Sequence, residues 1–316
     1  MVEGVLAGDR RAIARAISMV EDDAADLPEL SRGLFAATGR AHTVGLTGSP
    51  GVGKSSLTEQ LVRAARQRER SVAVLAIDPT SPFTGGALLG DRLRMQSHAT
   101  DPEVFIRSMA TRGHLGGMAL AAPEAIRILD AAGKDVIFVE TVGVGQAEVQ
   151  VASAADTTLV VVAPGWGDSI QVSKAGILEI ADVFVVNKAD REGAAEAVKD
   201  LEVMIKMGSG LEWRPPVVRA SATTGEGIDD LWEAVQSHRK HLDASGGLEE
   251  RRRQRLAEEL EDMVALRLRR RVASLLEGEL SGLAEEVASR RIDPYEAADR
   301  LAERLTGGAP GVRSQP

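Results

Sequence analysis

The sequence contains no cysteine among its 316 residues, which excludes disulfide bonds and thiolate metal sites. Aromatic residues make up only 3% of the chain, so aromatic platforms that stack single-stranded nucleic acid are not expected. The chain also lacks an apolar run long enough to span a membrane and a signal-peptide pattern at its start. These absences predict a soluble, cytoplasmic protein with no membrane contact and a core of aliphatic side chains.

Positive charge is also in deficit, because the formal net charge is -9. An acidic surface repels phosphate backbones, and nucleic acid is therefore not an expected partner. The arginine run at 251–253 stands among many glutamates and is interpreted as a solvated helix face. The charge does not exclude a nucleotide, because a few local donors can hold a triphosphate.

From residue 42 onward, short apolar runs alternate with longer amphipathic stretches. The runs are continuous in valine, isoleucine and leucine, as burial on both faces of a sheet requires. Strands are predicted at 42–47, 71–77, 104–108, 135–140, 157–163, 183–186 and 217–220. Helices are predicted between them at 54–67, 119–132, 172–180, 194–207 and 228–238. This alternation favours an α/β fold with a mostly parallel sheet covered on both faces.

Helical patterns flank the α/β region at both ends. Residues 4–38 have apolar positions at helical spacing, and a charged helix is predicted at 248–277, followed by two shorter helices. The longer helix carries an apolar row at i, i+4 spacing, made of Leu256, Leu260, Val264, Leu268, Val272 and Leu276. The row is either intramolecular core or a dimer seam. We predict an N-terminal helical extension (1–40), a central α/β domain (41–244), a C-terminal helical arm (245–306) and a disordered tail (307–316).

A glycine-rich segment follows the first predicted strand and opens a helix. It matches the P-loop pattern G-x-x-x-x-G-K-[ST] with Gly48, Ser49, Pro50, Gly51, Val52, Gly53, Lys54 and Ser55, and Ser56 follows. Glycines let the backbone fold round phosphates with its N–H groups pointing inward. Lys54, a candidate catalytic residue, would reach the β- and γ-phosphates, and Ser55 would bind Mg²⁺. The alternative is a glycine-rich turn without a ligand, which the strand–loop–helix context disfavours.

Two later strand ends carry residues suited to a guanine base. Asn187, Lys188 and Asp190 form an Asn-Lys-x-Asp sequence that resembles the guanine-specificity motif of GTPases. Asp190 would accept hydrogen bonds from guanine N1–H and the N2 amino group, which adenine cannot supply. Ser221 and Ala222 resemble the accessory guanine loop. The alternative for each short match is an ordinary polar loop at a strand end.

Acidic residues follow two other predicted strands. Glu140 and Gly143 stand where GTPases carry Asp-x-x-Gly, so the carboxylate would act at Mg²⁺ and the Gly143 amide would sense the γ-phosphate. Asp78 is also placed for a Mg²⁺ role, with a simple Asp-Pro turn as the alternative. Val144 occupies the position of the usual water-positioning glutamine, which predicts slow intrinsic hydrolysis.

Three longer strings make the sequence similar to a known family. They are DPTSP from Asp78 continuing to GGALLGDRLRM, RGHLGG from Arg112, and ETVGVGQ from Glu140. Together they resemble the MeaB family, which includes the ArgK-type proteins, once described as transport ATPases for basic amino acids, and the methylmalonic aciduria type A protein. The resemblance covers nearly the whole chain.

The resemblance implies a P-loop GTPase that acts as a chaperone for adenosylcobalamin-dependent methylmalonyl-CoA mutase, loading its cofactor and protecting it. No mutase domain is fused here, so the partner would be a separate chain, and the helical extensions would form a homodimer. The resemblance also implies binding of GTP or GDP with Mg²⁺ through Ser55, Asp78, Asp91 and Glu140. Switch roles fall by resemblance on Arg94, Asp168, Gln171 and Lys174, with Lys174 swinging towards the active site as a catalytic candidate.

Two functions from other classes stay open on the sequence. One is a binding chaperone whose GTP turnover is incidental. The other is an ATP-dependent kinase or ATPase linked to basic amino-acid transport, which the Asn-Lys-x-Asp sequence disfavours.

Overall fold

The computed structural model describes residues 1–78, 98, 100–110, 117–141, 154–165, 179–207, 212–275 and 278–305. Contacts divide the chain into two units, Met1–Glu259 and Leu260–Pro316. The larger unit contains the sheet and all of the described residues that the sequence assigns to nucleotide binding. The predicted tail at 307–316 and most of the predicted helix at 172–180 lie outside the described residues.

The larger unit is built on a parallel sheet, in which seven strands are described. Strands β1 to β7 are His42–Thr47, Val72–Asp78, Val104–Ala110, Val136–Thr141, Thr157–Val162, Val183–Val186 and Val217–Arg219. Their order is β3-β2-β4-β1-β5-β6-β7, and each neighbouring pair is parallel. The predicted α/β fold with a parallel sheet is confirmed, and the strand bounds differ from the prediction by one or two residues at most.

Strand β1 lies in the middle of the sheet, between β4 and β5. The chain runs from β1 to β2, β3 and β4 on one side and then crosses to β5, β6 and β7 on the other. Such a reversal of strand order opens a crevice at the carboxyl edge of the sheet, where α/β proteins bind their ligands. The glycine-rich segment after β1 therefore begins at the switch point.

Helices cover both faces of the sheet. Helices α1 to α8 are Val2–Leu6, Arg10–Glu21, Leu27–Leu34, Lys54–Gln67, Gly117–Ala131, Ala194–Met207, Ile228–Ser245 and Gly247–Leu275, of which α8 belongs to the larger unit as far as Glu259. On one face, α1, α2, α3 and α5 bury side chains such as Ile17 against Leu75 and its neighbours. On the other face, α4 and α7 bury Leu57 and Trp232 against the alternate residues of the same strands. Burial on both faces explains why the strands lack polar alternation.

The first three helices complete the core of the sheet. Asp9 caps α2, because its Oδ1 atom accepts a hydrogen bond from the Ala12 backbone N–H at 2.7 Å. Ile13 and Ile17 of α2 are buried, with Leu34 of α3 in the same cluster. The predicted helical character of residues 4–38 is therefore observed, as three short helices followed by a single 3₁₀ turn.

Helix α7 is longer than the sequence pattern indicates. It was predicted to end at residue 238 but continues to Ser245, where Gly246 adopts a left-handed φ of 72° and ends it. His238 is fully buried at this point, with Nδ1 2.9 Å from the Thr157 hydroxyl and Nε2 3.2 Å from the carboxylate of Asp182. The buried face of α7 therefore continues past the predicted end, through His238 to Leu242.

Two buried carboxylates at the amino edge of the sheet bind arginines from the start of α8. Asp156, just before β5, accepts hydrogen bonds from Arg252 and Arg255. Asp182, just before β6, accepts two from Arg251. The interpretation of residues 251–253 as a solvated face is therefore wrong for Arg252, whose side chain is only 24% exposed. Arg253 is 78% exposed, and Arg251 stays 41% exposed while it pairs with Asp182.

The smaller unit contains the rest of α8 and two further helices, α9 (Glu279–Ala288) and α10 (Pro294–Leu305). Asp293 caps α10 through its Oδ1 atom, which accepts the backbone N–H groups of Tyr295 and Glu296. Leu260, Val264 and Leu268 of the predicted apolar row are exposed. Across the described parts of both units, no helix is long and apolar enough to cross a membrane.

Candidate nucleotide-binding site

The P-loop adopts a backbone shape that requires its glycines. Gly48 has a φ of 135°, and a Cβ atom there would lie 2.1 Å from the carbonyl oxygen of Val161 on β5. Gly53 has a φ of 97°, and a Cβ atom there would lie 2.5 Å from Nδ2 of Asn187. Only glycine accommodates both the left-handed backbone and the close neighbour. Pro50 and Gly51 stand exposed at the tip of the loop.

Helix α4 begins directly after the loop, with Lys54 as its first residue and Ser55 and Ser56 in its first turn. The Lys54 ammonium folds back to the loop, donating to the Gly48 carbonyl and lying 3.4 Å from the Ser49 carbonyl. The first backbone N–H groups of a helix have no partner within it, and the helix dipole favours an anion there. The loop and helix together form the geometry that holds phosphates in P-loop proteins.

The loop after β6 is bonded to the P-loop. The Asn187 side chain is buried, and its amide donates a hydrogen bond to the Val52 carbonyl at 2.8 Å. The Lys188 ammonium donates to the Gly51 carbonyl at 2.7 Å. The two segments are adjacent because β6 and β1 both end at the carboxyl edge of the sheet. Asn187 and Lys188 thus join the predicted base loop to the predicted phosphate loop.

Asp190 and Ser221 also meet, although 31 positions separate them in the chain. The Ser221 hydroxyl donates to Oδ1 of Asp190 at 2.7 Å, and this hydrogen bond lowers the pKa of Asp190. The carboxylate is exposed at the site and, once ionised, acts only as an acceptor. A second hydrogen bond joins the same two loops, since the Ala222 backbone N–H donates to Oδ1 of Asn187 at 3.1 Å.

Glu140 lies near the end of β4, beside β1 and β2, where its register partners are Leu46 and Ala76. Its side chain is fully buried, and its Oε2 atom lies 2.8 Å from the hydroxyl of Thr58. Thr58 belongs to the second turn of α4 and is also fully buried. The predicted acidic position is thus brought next to the helix that carries Lys54 and Ser55.

The remaining predicted site residues are only partly described. Asp78 ends β2 at the same edge of the sheet as Glu140, and only its backbone is described. Six positions lie outside the described residues, namely Asp91, Arg94, Gly143, Asp168, Gln171 and Lys174. The roles assigned to them remain predictions.

Two residues at the site were missed by the sequence pattern. Thr58 contacts Glu140, and Gln60 donates from its amide nitrogen to the Ala222 carbonyl at 2.9 Å, joining α4 to the accessory guanine loop. Thr58 could have been noticed, because it follows Lys54 by one helical turn and puts a polar group on the buried face of the helix. Nothing in the local sequence indicates the partner of Gln60.

A phosphate loop at the switch point, with guanine-type residues at the neighbouring strand ends, defines a P-loop nucleotide-binding protein of the GTPase class. Residues 13–276 match the protein family described as "Methylmalonyl Co-A mutase-associated GTPase MeaB". The chain belongs to this family, as its longer sequence strings indicated, and it is a GTP-hydrolysing enzyme.

Two relatives named as GTPases and one solved structure are similar over most of this chain. A Pyrococcus abyssi protein provisionally named a GTPase is 50% identical, with 99% of this chain and 98% of that protein covered. "GTPase ArgK" of Escherichia coli is 38% identical over 79% of this chain and 78% of its own length. A solved structure titled "Crystal structure of LAO/AO transport system kinase" is similar with a TM-score of 0.71 and 28% identity, covering 96% of both chains.

Proposed function

We propose that this GTPase works with Mg²⁺ as a chaperone for adenosylcobalamin-dependent methylmalonyl-CoA mutase, a separate chain whose cofactor loading it gates and which it protects. The observation that carries the nucleotide part is the hydrogen-bonded connection between the P-loop and the loop of Asn187, Lys188 and Asp190. The mutase part is supported by the description of the family.

The base specificity is assigned to Asp190. Ser221 donates to one carboxylate oxygen and lowers the pKa of Asp190, and the ionised carboxylate is presented as an acceptor for the N1–H and N2 amino group of guanine. An adenine ring lacks this pair of donors. A site built around such hydrogen bonds rejects the analogue without them, by about 10⁴-fold in the best cases.

A titration of GDP and ATP in the presence of Mg²⁺ tests this assignment. Wild type should bind GDP far more tightly than ATP, and Asp190→Ala should lose GDP binding. Asp243, 52% exposed in the last turn of α7, provides a matched control, because Asp243→Ala removes a carboxylate at the end of this helix that is opposite to the Ser221 turn. ATP binding equal to GDP binding and unaffected by Asp190→Ala would favour the kinase or transport ATPase instead.

The phosphate chemistry is assigned to the P-loop, Lys54, Ser55 and Glu140. The residues fit Mg²⁺, since a serine hydroxyl and a buried carboxylate at one edge of the sheet are the oxygen ligands that this ion prefers. Bound Mg²⁺ would supply positive charge to the β- and γ-phosphate oxygens. Lys54 now contacts loop carbonyls, and a triphosphate would offer its ammonium charged acceptors in their place.

The hydrolysis rate of the isolated protein is expected to be low, because Val144 stands in the position of the usual water-positioning glutamine. Turnover should therefore rise when mutase is added. The coupling is assigned by resemblance to Arg94, Asp168, Gln171 and Lys174, with Lys174 moving towards the nucleotide. Unchanged turnover with a saturating and demonstrably bound mutase would contradict this part of the proposal.

A chaperone whose GTP turnover is incidental predicts a different result for the same mutase assay. Lys54→Ala removes the ammonium that would neutralise the β- and γ-phosphates. If the variant still protects and loads the mutase like wild type, binding alone performs the function. We expect Lys54→Ala neither to protect nor to load the mutase, because release of the γ-phosphate resets the switch segments.

The exposed row on α8 supports the homodimer. Leu260, Val264 and Leu268 are exposed in the smaller unit, and burial of each such side chain is worth about 1.5–3 kcal/mol. Val264→Glu would place charge in the middle of this row and should shift the protein to monomers in sedimentation velocity. Asp262→Lys, at an exposed position on the opposite side of the same helix, is the control that should leave the oligomeric state unchanged.

A further inference from the structure

The position of Glu140 leaves its carboxylate wholly inside the protein. It is fully buried on β4, with β1 on one side and β2 on the other. A charged carboxylate in such a place requires hydrogen-bond donors to offset its lost hydration. A glutamate also has one more rotatable bond than the aspartate usual at this point of a GTPase, so its direction needs to be fixed.

Thr58 supplies a donor at this place. Its hydroxyl lies 2.8 Å from Oε2 of Glu140 and 3.1 Å from the Lys54 carbonyl. A hydroxyl carries one proton, and a charged carboxylate is a stronger acceptor than a carbonyl that already receives a helical N–H. The proton is therefore directed at Glu140.

The contact also links two elements that must be aligned for catalysis. Thr58 stands one turn after Lys54 on α4, so the helix that begins at the phosphate loop is joined to the strand that carries the acidic residue. Both side chains of the contact are fully buried, and water does not compete for it. Rotation of the Glu140 carboxylate would break this hydrogen bond inside the protein, where it is costly to lose.

We propose that Thr58 is a positioning residue of the GTPase, which holds the carboxylate of Glu140 in the orientation that serves the Mg²⁺–nucleotide. The inference rests on the proposed role of Glu140 at Mg²⁺. Loss of a residue that orients a ligand in this way lowers metal affinity or activity by about 10- to 100-fold. The effect of Thr58 is expected on the Mg²⁺ requirement, since it does not touch the base loop.

The test measures the Mg²⁺ concentration that gives half-maximal GTP hydrolysis, together with GDP affinity in EDTA and the melting temperature. Thr58→Val removes the hydroxyl at nearly constant shape and should raise the Mg²⁺ requirement by about tenfold or more. Thr58→Ser keeps the hydroxyl, and its Mg²⁺ requirement should be near that of wild type. GDP affinity in EDTA should stay near wild type. Thr43→Val, at a buried threonine of β1 on the opposite edge, should leave the Mg²⁺ requirement unchanged.

Glu140→Gln separates this inference from the function on which it rests. If Glu140→Gln leaves the Mg²⁺ requirement unchanged, the role of Glu140 is wrong and the inference falls with it. If Glu140→Gln raises the requirement and Thr58→Val does not, only the inference about Thr58 is overturned. When Thr58 acts through Glu140, adding Thr58→Val to Glu140→Gln causes no further change, whereas additive effects contradict the proposal. Should Thr58→Val not fold, Thr58→Cys, a weaker donor of similar size, replaces it.

Discussion

Asp156 offers a sharp test of what holds the start of α8 to the sheet. The side chain is 1% exposed and lies just before β5. Its carboxylate accepts hydrogen bonds from Nε and Nη2 of Arg252 at 3.1 and 2.6 Å and from Nη2 of Arg255 at 2.5 Å. Burial alone would raise the pKa of Asp156, but the Arg252 hydrogen bonds and the charge of Arg255 hold it below its ordinary value. The carboxylate is thus buried, charged and paired.

Asp156→Asn keeps the shape of the side chain and removes its charge. The two arginines then lose their buried counter-ion, and breaking such a pair costs about 3–5 kcal/mol. Because both guanidinium groups are themselves between a fifth and a quarter exposed, we expect the lower end, about 3 kcal/mol. For a unit of this size, that corresponds to a fall in melting temperature of about 6–12 °C.

The matched comparison is Asp229→Asn. Asp229 pairs with Arg68 at 2.9 Å, a similar distance, but its side chain is 79% exposed. An exposed pair of this kind contributes at most about 1 kcal/mol. Urea unfolding of both variants without nucleotide measures the difference, and equal losses for the two would refute the idea that burial makes the Asp156 contact strong.

The pH dependence gives the same contact a second signature. The pKa of Asp156 is depressed in the folded protein, so the unfolded state binds the proton first as pH falls. The stability from this group is complete above about pH 5 and is lost below the ordinary value of about 3.9. The difference between wild type and Asp156→Asn should therefore be constant from pH 5 to 8 and shrink in acid. If the difference in the free energy of unfolding grew in acid, the depressed pKa of Asp156 could not be its cause.

Three further predictions concern the sheet edge and the site. Gly48→Ala should weaken GDP binding by about tenfold or more, because the added Cβ atom would meet the Val161 carbonyl. The control is Gly133→Ala, because Gly133 also has a left-handed backbone but open space around it. This variant should lose about 1–2 kcal/mol of stability and bind GDP like wild type. Burial lowers the pKa of His42 from 6.5 to about 4 in the folded protein. As pH falls, the unfolded chain therefore binds a proton at this histidine before the folded protein does. The free energy of unfolding should fall by about 3 kcal/mol from pH 6.5 to 4. His42→Gln should flatten that part of an unfolding-versus-pH profile. Asn187→Ala leaves two backbone groups without their side-chain partner, so isothermal titration should show weaker GDP binding with no gain for ATP.

The sequence by itself determined most of the described elements and located the ends of the strands to within two residues. Strands buried on both faces need continuous aliphatic runs, and such runs mark β1 and β6 at the residues that the structure shows. The P-loop could also be identified from the sequence, because Gly48 and Gly53 occupy positions whose backbone shape and close neighbours only glycine accommodates. These features depend on local backbone geometry, which neighbouring residues specify.

Only the tertiary structure decided which distant residues meet. The order of the strands places β7 beside β6 and so brings Ser221, which follows β7, to Asp190, which follows β6. No local pattern encodes that choice. Arg252 belongs to a charge run that the sequence pattern assigns to a solvated face, but the tertiary structure pairs it with the buried carboxylate of Asp156. Thr58 meets Glu140 for the same reason. A side chain's surroundings depend on how whole elements pack, and that packing reflects the summed burial of the sheet and its helices.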